Sequence, residues 1–295
     1  MRFGLHFMDF NLPGEPASIA PTIAKTAKAT EEAGGAWFTA MDHFFQMEQY
    51  RTAHDPMLEG YSVLAFTAAH TSTIKLGTLV TGVTYRHPGI LAKTVTSLDI
   101  LSEGRAFLGI GAAWYEREHL ALGVPYPPLK QRFEMLEEAL QIALQMWTPE
   151  DEGAFNGQHY QLAETINYPL AMQKPHPPIL IGGNGEQKTM RLVARYGDIA
   201  NLTVQDPDAI ATKLDALRRH CDTLGRDYDT IEKTALVSVV SYRDADAFLA
   251  HAEKLAALGI EHVQFRDDVA DPVGAITAFG EKVAPRLAEI QPAGR

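Results

Sequence analysis

The stretch GILAKTVTSLDILSEGRAFLGIGAAWYEREH, residues 89–119, contains one whole unit of the pattern that sets the fold. Leu91, Val95, Leu98 and Leu101 recur at helical spacing and form one apolar stripe. Gly104 follows as the expected C-cap, because a chain leaving a helix turns left-handed most easily at glycine. Residues 106–111 are a short apolar run with the length of a buried strand. A loop rich in titratable side chains, Glu116-Arg117-Glu118-His119, comes next.

Working outward from this unit, the same alternation covers almost the whole chain. Apolar strands are expected at 2–7, 36–41, 74–81, 106–111, 179–182, 199–202, 234–240 and 262–265. Helical patterns lie between them; in RFEMLEEALQIALQMW, residues 132–147, Phe133, Leu136, Leu140, Leu144 and Trp147 share one face. Strand–helix units imply parallel strands joined by right-handed crossovers, and eight of them favour a closed barrel over an open sheet. The fold class is therefore α/β, a single (β/α)8 TIM barrel, with residues 1–295 as one domain. Two connections are long: residues 44–61 after the second strand, and 148–178 before the fifth. Within the latter, FNGQHYQL suggests a hairpin turning at Asn156-Gly157, and the segment is long enough to reach the mouth of the barrel.

Composition narrows the class of function. The 295 residues are 46% hydrophobic and carry a formal charge of −11. There is no basic stripe, so a nucleic-acid partner is not expected. No apolar run of membrane-spanning length and no signal-peptide pattern is present, and a soluble cytoplasmic protein is the expectation. The single cysteine, Cys221, cannot form an internal disulfide. His43, His54, His87 and His119 lack ligand spacing, so no metal site is expected.

Chemistry concentrates where strands end. WFTAMDHFF, residues 37–45, closes an apolar strand on Asp42 and His43, on the face where barrels build active sites. An imidazole titrates near neutrality and exchanges protons readily. Phe44 and Phe45 begin an apolar wall on this reading. In LGTLVTGVTYRHP, residues 76–88, Gly77 and Gly82 mark either close approach of a flat ligand or a twist in a curved strand. GIGAAWYEREH lacks the third glycine of a dinucleotide fingerprint. Small Gly111, Ala112 and Ala113 still admit a ligand near the backbone. Glu118 is an acid, a ligand-orienting group or a solvated helix-start carboxylate. ILIGGNGEQKT sets a Gly-rich turn before a helix, a ready anion site for one phosphate.

Taken together, DHFF (42–45), TVTSLDILSEGRAFLGIGAAWYEREHLALGVPYP (94–127), PPILIGGNG (177–185) and VARYGDIANL (193–202), in this order, resemble the bacterial luciferase-like superfamily over nearly the full length. GAAWYEREH and TYRHPG resemble its coenzyme F420-dependent branch. The resemblance implies a TIM barrel, a homodimer, and coenzyme F420 as cofactor, with FMN as the alternative. It maps a non-prolyl cis peptide onto Leu79-Val80 beneath the cofactor ring, Asp42 beside the ring's polar edge and Ala112-Ala113 beside its chain. Gly182, Gly183 and Asn184 would hold the phosphate, and His43 would face the reacting carbon.

One departure stands out. The sugar-phosphate dehydrogenase branch has a glutamate where this chain has Trp114. Trp114, Phe44, Phe45 and Tyr85 instead imply an apolar or aromatic small-molecule substrate, with Glu118 a more distant proton source. The implied activity is hydride transfer between F420 and that substrate. The alternatives are an FMN-dependent monooxygenase fed by a separate cofactor reductase, a non-catalytic flavin-binding barrel, and a hydrolase pairing Glu59 with Glu118.

Overall fold

The computed structural model describes residues 1–237, 244–267 and 270–294. Strand β1 (Arg2–Phe7) leads to α1 (Ile19–Glu32), and β2 (Trp37–Ala40) to α2 (Gly60–Ala68). Segments β3 (Lys75–Thr78) and β4 (Thr81–Gly82) precede α3 (Pro88–Leu101). Strand β5 (Leu108–Gly111) is followed by α4 (Glu116–Leu122), α5 (Leu129–Trp147) and the two-residue strands β6 (Phe155–Asn156) and β7 (Gln161–Leu162). The second half alternates β8 (Ile179–Gly182), α6 (Thr189–Tyr196), β9 (Ile199–Leu202), α7 (Pro207–Leu224), β10 (Glu232–Val237), α8 (Ala245–Ala257) and β11 (His262–Asp267). Helices α9 (Pro272–Lys282) and α10 (Ala284–Glu289) close the chain. Of the seventh expected strand, residues 238–240 lie outside the described residues.

The strands form one parallel sheet in the order β3-β2-β1-β11-β10-β9-β8-β5-β4. Its two ends are halves of one strand: β3 pairs with β2, and β4 pairs with β5. A bridge between Leu76 and Ala106 joins the ends, with Leu76 N–H donating to Arg105 O and Phe107 N–H to Leu76 O, both 2.9 Å. The sheet is thus a barrel of eight strand positions, the third broken between Thr78 and Thr81.

Strand alternation sorts the side chains into two cores. Phe3, Leu5 and Phe7 of β1, Phe38 and Ala40 of β2, and Val263 and Phe265 of β11 face the helices in the main apolar cluster. Trp37, Leu79, Phe107, Leu180 and Ile199 plug the barrel interior. Above that plug the interior turns polar: His6 Nδ1 lies 2.9 Å from Thr39 Oγ1, and Asn201 Nδ2 donates to Thr234 Oγ1 at 2.8 Å. Gly77 and Gly82 each have a packing constraint, and Gly82 also lines the cavity at the barrel mouth. A Cβ on Gly77 would lie 2.4 Å from the Phe107 ring, and one on Gly82 2.8 Å from Tyr85.

Several expectations need correction. The stripe on α3 buries Leu91, Val95 and Leu98, but Leu101 is 68% exposed and Asp99 is buried instead, accepting from the Met172 and Gln173 amides. Gly104 does adopt the left-handed conformation, φ +83, with its N–H on Asp99 O. The hairpin pairs Phe155 with Leu162 and Asn156 with Gln161, so residues 157–160 make the turn, not Asn156-Gly157. The Glu138 carboxylate explains the longer loop by accepting from the Gln158, His159 and Tyr160 amides. Residues 148–178 run along α3 and α5, where Asn167 reaches Thr96 and Gln145 reaches Thr165, and none lines the cavity at the mouth.

Burial leaves His6 hard to protonate: its pKa is lowered to about 3, with burial the largest cause and Arg266 second. Folding therefore favours the neutral ring. Its contribution is complete above the unfolded value of 6.5 and is lost as pH falls toward 3. His6→Gln keeps a polar group in the layer but removes this titration. Urea unfolding should show the wild type losing roughly 2 kcal/mol more than the variant between pH 8 and pH 5. Parallel pH profiles would show that His6 protonates freely in the folded state.

Candidate active site

At the C-terminal end of the strands lies a cavity of about 770 Å³. The broken third strand provides its floor. The Leu79-Val80 peptide is cis, as the resemblance implied, and the Val80 side chain sits between β5 and β8. A Cβ on Gly111 would lie 2.9 Å from one Val80 methyl, and one on Gly182 2.8 Å from the other. Glycine at both positions is what leaves room for this central apolar knob. Hydroxyls bridge the break: Thr78 Oγ1 lies 2.8 Å from Thr81 Oγ1, and Tyr61 Oη 2.7 Å from Thr81 Oγ1. Burial pushes the Tyr61 phenol up to about 12, so it remains a donor at neutral pH.

Asp42 follows β2 and is buried in the cavity wall. Arg86 donates to its Oδ2 at 2.6 Å, while Oδ1 is buried with no partner. Burial raises the Asp42 pKa against the opposing pull of Arg86. Arg86 is itself fixed by Glu59, which accepts from it and from the Tyr61 and Ser62 amides at the start of α2, and by the Tyr61 ring 4.7 Å beneath. An unpaired acceptor on a buried carboxylate costs free energy unless a ligand donor meets it.

His43 is next in the chain and lines the same cavity. Its Nδ1 lies 3.0 Å from Glu118 Oε2, and the Phe44 N–H donates to Glu118 Oε1 at 2.6 Å. Glu118, in the first turn of α4, has no exposed surface and does not line the cavity. It orients His43 rather than meeting a ligand. With Nδ1–H donating to the carboxylate, Nε2 is left as an acceptor for the cavity, a tautomer assigned from the bonding pattern. Phe44 packs edge-on against Tyr85 at 5.3 Å, and Phe45 packs with Met8, Met41, Met47 and Tyr115. Neither phenylalanine lines the cavity, which corrects the expected wall: Met8, Met41, Met47 and Tyr50 form it instead. Tyr85 and Trp114 do line it, with the Trp114 ring edge-on to His43 at 5.4 Å and 51% exposed.

At the other end lie Gly182, Gly183, Asn184 and Gly185, with Thr189 of α6. The Gly183 N–H already donates to Asn201 O at 3.1 Å. The Asn184 side chain is held by Thr203 through both its amide groups. The expected backbone cradle is thus a turn locked to the loop after β9, with Thr189 at the start of α6 lining the cavity. Ala112 and Ala113 lie between the two ends, their carbonyls bonded by the buried Arg132, and Ala113 has φ +60.

His6, Thr189, Asn201 and Arg266 are among the lining residues that escaped the sequence reading. His6, Asn201 and Arg266 stand one strand repeat below a rim, and the alternation of β1, β9 and β11 could have identified them as inward-facing. Glu59 and Glu118, the pair considered for hydrolysis, are each committed to other partners. Among the described residues there is no group of three metal-ligating side chains and no helix long and apolar enough to cross a membrane.

Comparison with known proteins agrees with this geometry. Residues 1–286 match the family model described as luciferase-like monooxygenase. The chain is 31% identical over 260 residues to an F420-dependent glucose-6-phosphate dehydrogenase of Kineococcus radiotolerans, covering 85% of this chain and 73% of that one. It is 30% identical over 237 residues to an F420-dependent hydroxymycolic acid dehydrogenase of Mycobacterium tuberculosis, covering 80% and 63%. A solved F420-dependent secondary alcohol dehydrogenase, in complex with an F420-acetone adduct, superposes with a TM-score of 0.82 at 17% identity, covering 97% and 98%.

Glu118→Ala tests the positioning role. Removing the buried carboxylate strands the Phe44 N–H and frees the His43 ring, at a cost of about 1–3 kcal/mol in urea unfolding. Nitrogen-15 spectra of the imidazole should change from one Nδ1–H tautomer to a mixture. A single tautomer retained in the variant would show that something else orients His43.

Proposed function

The chain belongs to the luciferase-like monooxygenase family, and from that premise we propose that it is an F420-dependent oxidoreductase acting on a small organic substrate. The observation that carries the reading is Asp42 Oδ1, a buried acceptor without a partner at the cavity wall beside the Val80 floor. A flat ring with an N–H edge, resting on Val80, satisfies it. Two curated relatives at 30% identity or more are named for F420, which supports the deazaflavin over FMN.

In this reading Val80 supports one face of the ring and Asp42 meets its polar edge. The chain of the cofactor passes Ala112 and Ala113, and its phosphate lies at Asn184, Gly185 and Thr189. When bound, F420 supplies the site that takes or gives the hydride. The residues handle the proton. In oxidation of an alcohol the carbon loses hydride and the oxygen loses a proton, which His43 Nε2 accepts; in reduction of a carbonyl His43 returns it. Glu118 keeps the ring turned for that exchange. Tyr85, its phenol held protonated by burial and by the nearby Glu118 charge, and Trp114 wall the reacting end.

The substrate side is apolar, lined by Met8, Met41, Met47 and Trp114, and this supports an apolar or aromatic substrate. We further propose one catalytic domain in a homodimer. Ile90 and Leu101 of α3, with Ile166, Tyr168 and Met172 alongside, present more than half of each side chain to solvent, an apolar patch suited to a second copy. A separate enzyme would then return the cofactor to its starting redox state.

Fluorescence titration of the protein with F420 and, in parallel, FMN tests the cofactor. Selective F420 binding is expected, and Asp42→Ala should weaken it by about 10-fold through loss of one charge-assisted contact. Selective FMN binding would sink the assignment. With a verified substrate, His43→Ala should lower kcat about 10²-fold while the F420 Kd stays within a factor of about three.

A further inference from the structure

The residue left over from this account is Arg266. It is the one cationic side chain of Lys or Arg type lining the cavity among the described residues, and it makes no ion pair among them. Its guanidinium stacks on the Tyr50 ring at 4.6 Å. It also borders a smaller recess of about 190 Å³, lined by Met8, Asp9, Gln46, Tyr50 and Arg51 as well, that opens beside the main cavity.

The nearby acid does not neutralise it. Asp9 Oδ2 accepts from Arg51 at 2.5 Å, and Oδ1 accepts from the Asn11 N–H at 2.9 Å. His6, beside Arg266 in the sheet register, stays neutral and adds no second cation. Among the described residues one positive charge therefore remains without a carboxylate partner, in a wall that includes Met8, Met41, Met47 and Tyr50.

Topology places that charge relative to the chemistry. The sheet runs β11-β1-β2, and Arg266 is in register with His6, which is in register with Thr39; His43 lies past the end of β2 and lines the same cavity. Neighbouring strands are ~4.8 Å apart, so Arg266 stands about one strand spacing from His6 in the cavity that His43 also lines.

We propose that the cavity takes a substrate with an apolar body and a terminal carboxylate, which Arg266 binds while the reacting carbon lies at His43. The inference rests on the oxidoreductase reading only for the reacting end. A guanidinium matches a carboxylate with two parallel hydrogen bonds. A single unmatched charge suits a monoanion; a phosphate dianion would be left half-neutralised. The methionine side chains adapt to apolar bodies of different outline.

Isothermal titration calorimetry on the F420-loaded protein, using 4-phenylbutyrate against 4-phenylbutyramide and octanoate against octanamide, tests this. Each acid should bind about 10- to 100-fold tighter than its amide. Arg266→Met should remove the preference, and Arg266→Lys should restore part of it. Thermal melts confirm that both variants fold, and F420 affinity should stay within a factor of about three. Acids and amides that bind alike in the wild type, or neither binding, would overturn the proposal. So would a preference that survives Arg266→Met, or a variant that loses F420 instead. The same titrations on cofactor-free protein separate the two readings: failure of F420 to bind counts against the cofactor, not against the carboxylate site.

Discussion

The break in the third strand governs the site. Strand β3 pairs with β2 and meets the β5 side at the Leu76–Ala106 bridge, whereas β4, beyond Leu79 and Val80, pairs with β5. That same break puts Val80 between two glycines as the cavity floor. The hydroxyls that bridge the break lead directly to the charged groups. Thr78 and Thr81 bond Tyr61, Tyr61 lies under Arg86, and Arg86 holds Asp42. Floor and polar wall are thus one connected assembly, and movement of Val80 would be felt at Asp42.

Two carboxylates, Asp42 after β2 and Glu118 in the first turn of α4, differ in role because their partners differ. Glu118 spends both oxygens on protein donors, the His43 ring and the Phe44 amide. Asp42 spends one on Arg86 and leaves the other open. A buried carboxylate with both oxygens occupied is a strut, and one with a free oxygen is a receptor. On the proposed function, adjacent residues Asp42 and His43 would separate cofactor recognition from proton handling across a single peptide bond.

How much of this was legible in the sequence follows from the range of each interaction. Eight strands and their helices could be read because alternation and 3.6-residue periodicity are local consequences of burial. Asp42 and His43 could be placed at a rim because they end an apolar strand. The broken strand was not legible from residues 74–81 alone, where LGTLVTG reads as continuous; only the family resemblance pointed to Leu79-Val80. Pairing of Glu118 with His43 spans 75 positions, and nothing local marks it. Phe44 and Phe45 misled for a related reason: composition says they are buried, but not on which side of the loop. Gly77 and Gly82 stayed ambiguous because a missing Cβ can admit a neighbouring ring as readily as a ligand.

The cavity is built from two kinds of material, and this bears on how one fold serves different substrates. Its cofactor end is made of glycine, alanine and backbone in β5, β8 and the β4 break, where any added side chain collides with the barrel. Its substrate end is made of side chains on residues 41–50, Trp114 and the rim position of Arg266. Substitutions there change shape and charge without touching a strand pairing. Relatives named for a sugar phosphate and for a hydroxymycolic acid, and a solved neighbour named for a secondary alcohol, share family or fold with this chain. A rigid half that fixes where hydride can move, joined to a replaceable half that fixes what is presented to it, accounts for that spread. In this protein the replaceable half carries methionines, an exposed tryptophan and Arg266, the residues on which the proposed substrate preference rests.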